Sequence, residues 1–458
     1  MLSPDAFAAL VADAAREHNV PGVAAAYIRG SEMRQASTGV LNLATQVAVT
    51  DDAVFQVGSI TKVFTGTLTM QLVEQGRLEL DAPVRRYLPD LQIAHRPIDE
   101  AITIRHLLSH TSGIVGDLFC DVGRNDDSTA RYVERCAGLQ YLTPPGGLFS
   151  YCNSGFGILG RLIEVITGAT WAAHLRTALL EPLGIAAITD AEEAPRYRTA
   201  MGHVVDDDGA LQLTPTCWLP RGAEAAGARL TMSPAALLKF ARMHLSDGVA
   251  ANGTRLLSAE TARAMCESVV RLPLDVVGFE AFGLSWGIFD SWHPRTVGHD
   301  GGTIGQSAFM RLFPEWDAAV CVLTNATSGG PAKAFDAILR AVLAEIGPAR
   351  IPEKPTPNPD VAVDPARFVG TYETYVNRMI VSAENGELRV RVVQSNTEGL
   401  GELPDHHLIL KPLGEDRFLA EDEPYGGTSI VGFTNFENGR PRFYFGGYRL
   451  AERVSPSP

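Results

Sequence analysis

Ser59 and Lys62 stand three residues apart in Gly58-Ser59-Ile60-Thr61-Lys62, at the head of a stretch with helical character over residues 59–74. On a helix that spacing puts both side chains on one face. A serine hydroxyl attacks a carbonyl at neutral pH only with a base beside it, and a lysine serves when burial and cationic neighbours depress its pKa. The helix N-terminus adds backbone donors and a positive dipole end for a developing oxyanion. Taken alone, the four residues read more readily as an N-cap serine and a solvated lysine. Tyr151-Cys152-Asn153 follows Pro144-Pro145-Gly146-Gly147 and precedes a helix beginning near Gly155. In an extended stretch, residues two apart point the same way, so the Tyr151 hydroxyl and Asn153 amide can enter one cleft. A phenol beside an ammonium loses its proton more readily, which makes Tyr151 a candidate general base and acid. A core tyrosine beside a turn asparagine is the plainer alternative. His299-Asp300-Gly301-Gly302 lies just before a strand-like run. Paired glycines there let a substrate acyl group approach the backbone, with Asp300 and Gly301 beside it, and the N–H of Gly302 can join that of Ser59 as an oxyanion hole. A tight turn with an incidental histidine is the alternative.

These residues need a scaffold. Ser3 and Pro4 open a helix to about Glu17, with Phe7, Leu10, Val11 and Ala14 at helical spacing. Segments 23–28 and 32–40 form a hairpin about Arg29-Gly30-Ser31, and 54–57 is extended. The helix over 59–74 is apolar on most faces, so it belongs in the middle of a domain. Residues 81–268 are mainly helical, most clearly at 155–167, 170–180 and 233–244. Strand patterns return at 285–289, 307–313 and 318–324, and a last helix covers 332–346. Strands at both ends around a helical middle imply one mixed domain whose sheet is closed by its C-terminal segment. Pro348, Pro352, Pro355, Pro357 and Pro359 form an extended spacer. Alternation at 388–392 and 442–445, with turns at Asn385-Gly386 and Asn438-Gly439, predicts a small antiparallel β domain. The fold class is therefore α+β, divided into residues 1–347, a linker at 348–366, and a barrel or sandwich at 367–458.

Composition bounds the function. Of 458 residues, 45% are hydrophobic and 20% charged, with a net charge of -14. Such an acidic chain without a Lys/Arg run repels a phosphate backbone, so nucleic acid is not an expected partner. No window approaches about 18 uninterrupted apolar residues, so no membrane-spanning helix or membrane partner is expected. Met1–Ala14 has no basic segment ahead of an apolar stretch, which reads as a cytoplasmic protein without a secretory signal. Six scattered cysteines with no C-x-x-C read as reduced thiols, mostly buried, with no metal site and no cofactor.

Together, S-x-x-K, then Y-x-N about 90 residues on, then H-x-G about 150 beyond, resemble the serine β-lactamase and penicillin-binding-protein superfamily, especially its class C branch. The resemblance covers roughly residues 5 to 346 and includes Phe55-Gln56-Val57-Gly58-Ser59, Leu107-Leu108-Ser109-His110-Thr111-Ser112-Gly113 and Gly298-His299-Asp300-Gly301-Gly302. It implies a β-lactamase-like domain, an antiparallel sheet flanked by helices with a helical subdomain, and a lipocalin-like barrel for the C-terminal part. It also implies Ser59 as acylated nucleophile, Lys62 and Tyr151 as the proton-transfer pair, and Asn153 as ligand of the substrate's acyl-side amide. His299 stands where β-lactamases have the lysine of K-T-G. A histidine is charged only part of the time near pH 7, which argues against efficient β-lactam hydrolysis.

With the proline-rich spacer and barrel, the chain is similar to stand-alone penicillin-binding-protein-type thioesterases, which release nonribosomal peptides from a peptidyl carrier protein by macrocyclisation. Its expected partners are a small-molecule or peptidyl ester or thioester substrate and such a carrier. A cytosolic esterase or D-amino-acid-specific amidase using the same acyl-enzyme is the alternative, and a catalytically silent binding protein a third. Arg449, after Gly446-Gly447-Tyr448, is a candidate to reach the cleft and fix a substrate carboxylate. The acidic stretch 116–127 lacks the spacing of a calcium loop and reads as a solvated loop rimming the cleft. His406-His407 reads as a surface pair, and His110 as support for a buried loop.

Overall fold

The computed structural model describes residues 1–206, 209–274, 278–327, 329–394, 405–423 and 428–455. The two ends of the first 346 residues meet in one sheet. Gly22–Arg29 pairs antiparallel with Glu32–Gly39 on one side and Ala318–Thr324 on the other. From Ala318–Thr324 the sheet continues through Gln306–Phe313, Thr296–Thr303, Gly287–Phe289 and Ala281–Phe282 to Val270–Arg271, eight strands in all. Gly22–Arg29 and Ala318–Thr324 are almost wholly buried because both faces of the sheet are covered. Helices Pro4–Glu17 and Gly329–Ile346 pack on one face through Phe7, Val11, Ile338 and Val342, against Tyr27 and Val322. The helical part packs on the other, against Ala24, Ala26 and Met310.

At the centre of that second layer lies Thr61–Glu74, buried from Thr61 to Leu72. Its threonines are satisfied locally. Thr67 and Thr69 donate to the carbonyls of Val63 and Thr65, four residues back, and Thr65 donates to Ala225 O at 2.7 Å. The flanking helices Asn153–Thr167 and Pro234–Leu245 run as the periodicity predicts. The one expected over 170–180 is α-helical only at Trp171–Leu175 and becomes a π-turn at Arg176–Leu180.

From Gly370 the chain forms a closed eight-stranded antiparallel barrel, Gly370–Glu373 through Arg449–Ser455. Its turns at Asn385-Gly386 and Asn438-Gly439 have positive φ at both residues, the twist that two-residue hairpins need. The fold is thus the α+β arrangement expected, a β-lactamase-like domain followed by a barrel. The barrel does not stand apart: Phe443, Phe445 and Leu450 share one buried apolar cluster with Phe149, Tyr151 and Phe282. Among the described residues no single helix is long and apolar enough to cross a membrane. The six cysteines are free thiols, four of them buried.

Candidate active site

Ser59 lies in a 3-10 turn, Gly58–Ile60, that leads into Thr61–Glu74. Lys62 is fully buried, and its Nζ lies 3.0 Å from Ser59 Oγ and donates to Ala226 O at 2.6 Å. Burial, reinforced by the Arg449 charge, holds the ammonium well below the ordinary lysine range. The Tyr151 ring is 4.9 Å from the same nitrogen. Burial thus favours the neutral amine of Lys62 beside a hydroxyl, and it is that form which can take the hydroxyl proton.

Tyr151 hydrogen-bonds Ser59, and its hydroxyl lies 3.5 Å from His299 Nε2. Its acidity runs opposite to the sequence expectation. Burial pushes the phenol up more than the Ser59 hydrogen bond and the Arg449 cation pull it down, so Tyr151 keeps its proton at neutral pH. His110 packs its ring 4.2 Å from that of Tyr151 and accepts the Cys152 N–H on Nδ1 at 3.0 Å, so it supports the loop as expected. Asn153 is the first residue of its helix rather than part of an extended run, with Cys152 Sγ accepting from Gly155 N as the cap. Both Tyr151 and Asn153 nonetheless line one cleft of 420 Å³ with Ser59, His299, Gly301, Gly302 and Arg449.

Two expectations about the rim change. Asp117 is 4% exposed, and Leu118 and Cys120 are buried, so the start of the 116–127 loop is cleft wall rather than solvated surface. Asp117 accepts from Asn153 Nδ2 at 2.5 Å and from Arg449, whose Nη2 is 3.1 Å from Oδ1. Arg449 reaches the cleft, as expected, but the carboxylate it holds is the protein's own. Its guanidinium also lies 5.0 Å over the Tyr151 ring. Sequence reasoning passed over Asp117, although an acid between Ile114-Val115 and Leu118-Phe119 is the signature of a buried carboxylate with a partner. It also missed Tyr448. That residue sits at φ 65° in the hairpin joining Gly446 to Arg449, a conformation bulky residues rarely take. Its ring stacks on Phe279 at 4.2 Å, and its carbonyl accepts the Tyr151 N–H at 2.9 Å.

His299, Asp300, Gly301 and Gly302 lie inside the strand Thr296–Thr303 rather than just before a strand. Gly287–Phe289 pairs with this strand only as far as Gly298, so among the described residues the edge from His299 on has no strand partner and faces the cleft. Burial and the Lys62 charge hold His299 down to about 4, so it is neutral at pH 7, and its Nδ1 lies 2.6 Å from Asp300 O. Asp300 accepts from both terminal nitrogens of Arg311. Gly301 lines the cleft and is held to glycine by a second demand besides the substrate approach expected of it. A Cβ there would lie 1.9 Å from Val57 O and 3.0 Å from Ser59 N, so its missing side chain lets the strand press on the Ser59 turn. Gly58, at φ 51°, completes that contact, since a Cβ on it would lie 2.7 Å from Gly302 N. The amides of Ser59 and Gly302 are thereby brought to one edge of the cleft.

Residues 7–345 match the Beta-lactamase family model. The chain belongs to that family. It is 42% identical over 364 residues to penicillin-binding protein 4 of Amycolatopsis lactamdurans, which spans 78% of this chain and 94% of that protein. The crystal structure of SurE superposes with a TM-score of 0.77 at 28% identity, covering 98% of this chain and 99% of that one. SurE is also solved with D-Leu, with a TM-score of 0.75, 27% identity and the same coverage. The octameric penicillin-binding protein homologue of Pyrococcus abyssi shares the fold, with a TM-score of 0.63 at 24% identity over 98% of this chain and 100% of that one. Serine hydrolases of this family work through an acyl-enzyme, the chemistry to which the Ser59–Lys62 geometry is suited.

Proposed function

We propose that this protein is a serine acyl transferase that takes a peptidyl ester or thioester with a D-residue at the acyl end and passes the acyl group to the peptide's own amine. The observation that carries the acyl-enzyme step is the buried Lys62 amine 3.0 Å from Ser59 Oγ. In the first half, Ser59 Oγ bonds to the carbonyl carbon while its proton passes to Lys62 Nζ. The oxyanion rests on the Ser59 and Gly302 amides. Collapse breaks the bond to the leaving thiol or alcohol, which takes a proton from Lys62 by way of the Tyr151 hydroxyl. In the second half the amine attacks the Ser59 ester, and the same pair carries its proton back to Ser59 Oγ.

Transfer outruns hydrolysis only where the amine is held close and water is kept out. The barrel hairpin supports that reading, because Tyr448 and Arg449 form part of the cleft wall. The likeness to SurE spans the barrel as well as the catalytic part, and its D-Leu complex supports a D-residue at the acyl end. A peptidyl carrier protein is then the natural source of the thioester. Incubation with linear peptidyl thioesters ending in a D-residue, followed by mass spectrometry, tests the proposal with Ser59→Ala as control. A Ser59-dependent product lighter than the free acid by one water is the expected result. Free acid alone makes the protein a hydrolase, the esterase or amidase alternative.

A further inference from the structure

A second cavity, of 560 Å³, shares a wall with the catalytic cleft. Asp300, Phe309 and Tyr448 line both. Its floor is aromatic, with Phe309 stacked on Phe335 at 4.7 Å beside Phe289 and Trp292. Arg311 lies between two of these rings, 4.5 Å from that of Phe289 and 5.1 Å from that of Phe335. It is 5% exposed, and its Nε has no hydrogen-bond partner. Lys333 and Arg340 reach the cavity from Gly329–Ile346, and Lys354 from the segment after it. Against Arg311, Lys333 and Arg340 the lining has two carboxylates, Asp300 held by Arg311 and Asp336 held by Arg340. The wall is thus positively charged in a protein of net charge -14.

We propose that this cavity is a second substrate subsite, binding an aromatic or alkyl segment of the acyl donor that ends in a carboxylate. This rests on the acyl-transfer reading above. The path is short: a donor extended along the open strand edge from Gly302 passes Asp300 after about 7 Å, two residues of peptide. Apolar walls take the segment, and the rim cations take the charge. A neutral acyl chain uses only half of this lining.

The test compares the p-nitrophenyl ester of succinyl-phenylalanyl-D-alanine with the same ester methylated at the succinyl carboxylate, each referenced to p-nitrophenyl butyrate. The free carboxylate is expected to raise kcat/KM about tenfold, and that preference to collapse in Lys333→Glu/Arg340→Glu. Ala332→Trp, which places a bulky ring on the cavity wall, is expected to raise KM for both long esters relative to butyrate. No preference in the wild-type protein, or one that survives the charge-reversed variant, overturns the subsite. Acylation of Ser59 by butyrate, read by intact mass, tests the acyl-enzyme reading separately. If that acylation fails, calorimetry with succinyl-phenylalanyl-D-alanine amide on Ser59→Ala still decides the subsite. Binding weakened about tenfold by Lys333→Glu/Arg340→Glu upholds it, and binding that is absent or indifferent to those charges overturns it.

Discussion

At the scale of the residue, the candidate site holds two groups whose acidities are moved in opposite senses by the same burial. Lys62 is pushed down and Tyr151 up, so the amine accepts protons and the phenol holds one. The rate of Ser59 acylation should therefore rise with pH on a single limb set by Lys62 and well below the ordinary lysine range, because the protonated amine is no base. Stopped-flow acylation by an activated ester checks this: the limb is lost in Lys62→Gln, with a fall of about 10²–10⁴ in rate, and is retained in Tyr151→Phe. Asp117 and Arg449 form the other pair. Removing the cation strands a nearly buried carboxylate, so Arg449→Ala should lower stability by about 2 kcal/mol, less than a fully buried pair because Arg449 keeps some solvent exposure. Asp117→Asn in the same background should recover part of that loss in urea unfolding. If Arg449→Ala leaves turnover of every ester and thioester unchanged, Arg449 has no part in substrate binding.

At the scale of the element, the proposed oxyanion edge depends on a strand lying against a turn with nothing between them. Gly301 and Gly302 are neighbours in sequence with different constraints. A methyl on Gly301 would overlap Val57 O, whereas one on Gly302 meets nothing within 4 Å. Gly301→Ala should therefore push the strand from the Ser59 turn, lower the melting temperature and reduce acylation by about 10² or more, the scale of a lost oxyanion donor. Gly302→Ala should fold with unchanged stability. Equal melting temperatures for the two variants would mean that the strand and turn are not in this contact.

At the scale of the whole molecule, the barrel is part of the cleft wall. Phe445 is 1% exposed in the cluster that also holds Tyr151 and Phe149. Phe445→Ala should cost about 3 kcal/mol and lower kcat along with stability, because the lost contacts lie behind Tyr151. The buried histidines set the acid limit of the fold. Burial holds His244 at about 3, and burial with the nearby Lys62 charge holds His299 at about 4. Both are neutral when folded and protonated when unfolded between those values and about 6.5. Protons then favour the unfolded chain, so stability falls as pH drops below 6.5, by up to about 1.4 kcal/mol per pH unit for each histidine. His244→Phe should flatten the dependence of melting temperature on pH between 4 and 6.5.

The candidate site was written in the chain in short motifs, and so were most of the elements that carry it. Ser59-Ile60-Thr61-Lys62 needs only one turn of helix to bring its two side chains together, and the hairpin about Gly30, the last sheet strands and the Asn-Gly turns of the barrel are likewise matters of local spacing. The segment from His299 to Gly302 reads from sequence as lying just before a strand, because paired glycines normally break strands, and it lies inside one. Only the contact with Val57, some 240 residues away in the chain, explains why Gly301 stands inside one. The Asp117–Arg449 pair spans 332 residues, and no local pattern joins its halves. The acidities of Lys62, Tyr151 and His299 were beyond reach for the same reason. A pKa follows from what surrounds a group once the fold has closed over it, and burial belongs to the tertiary structure alone.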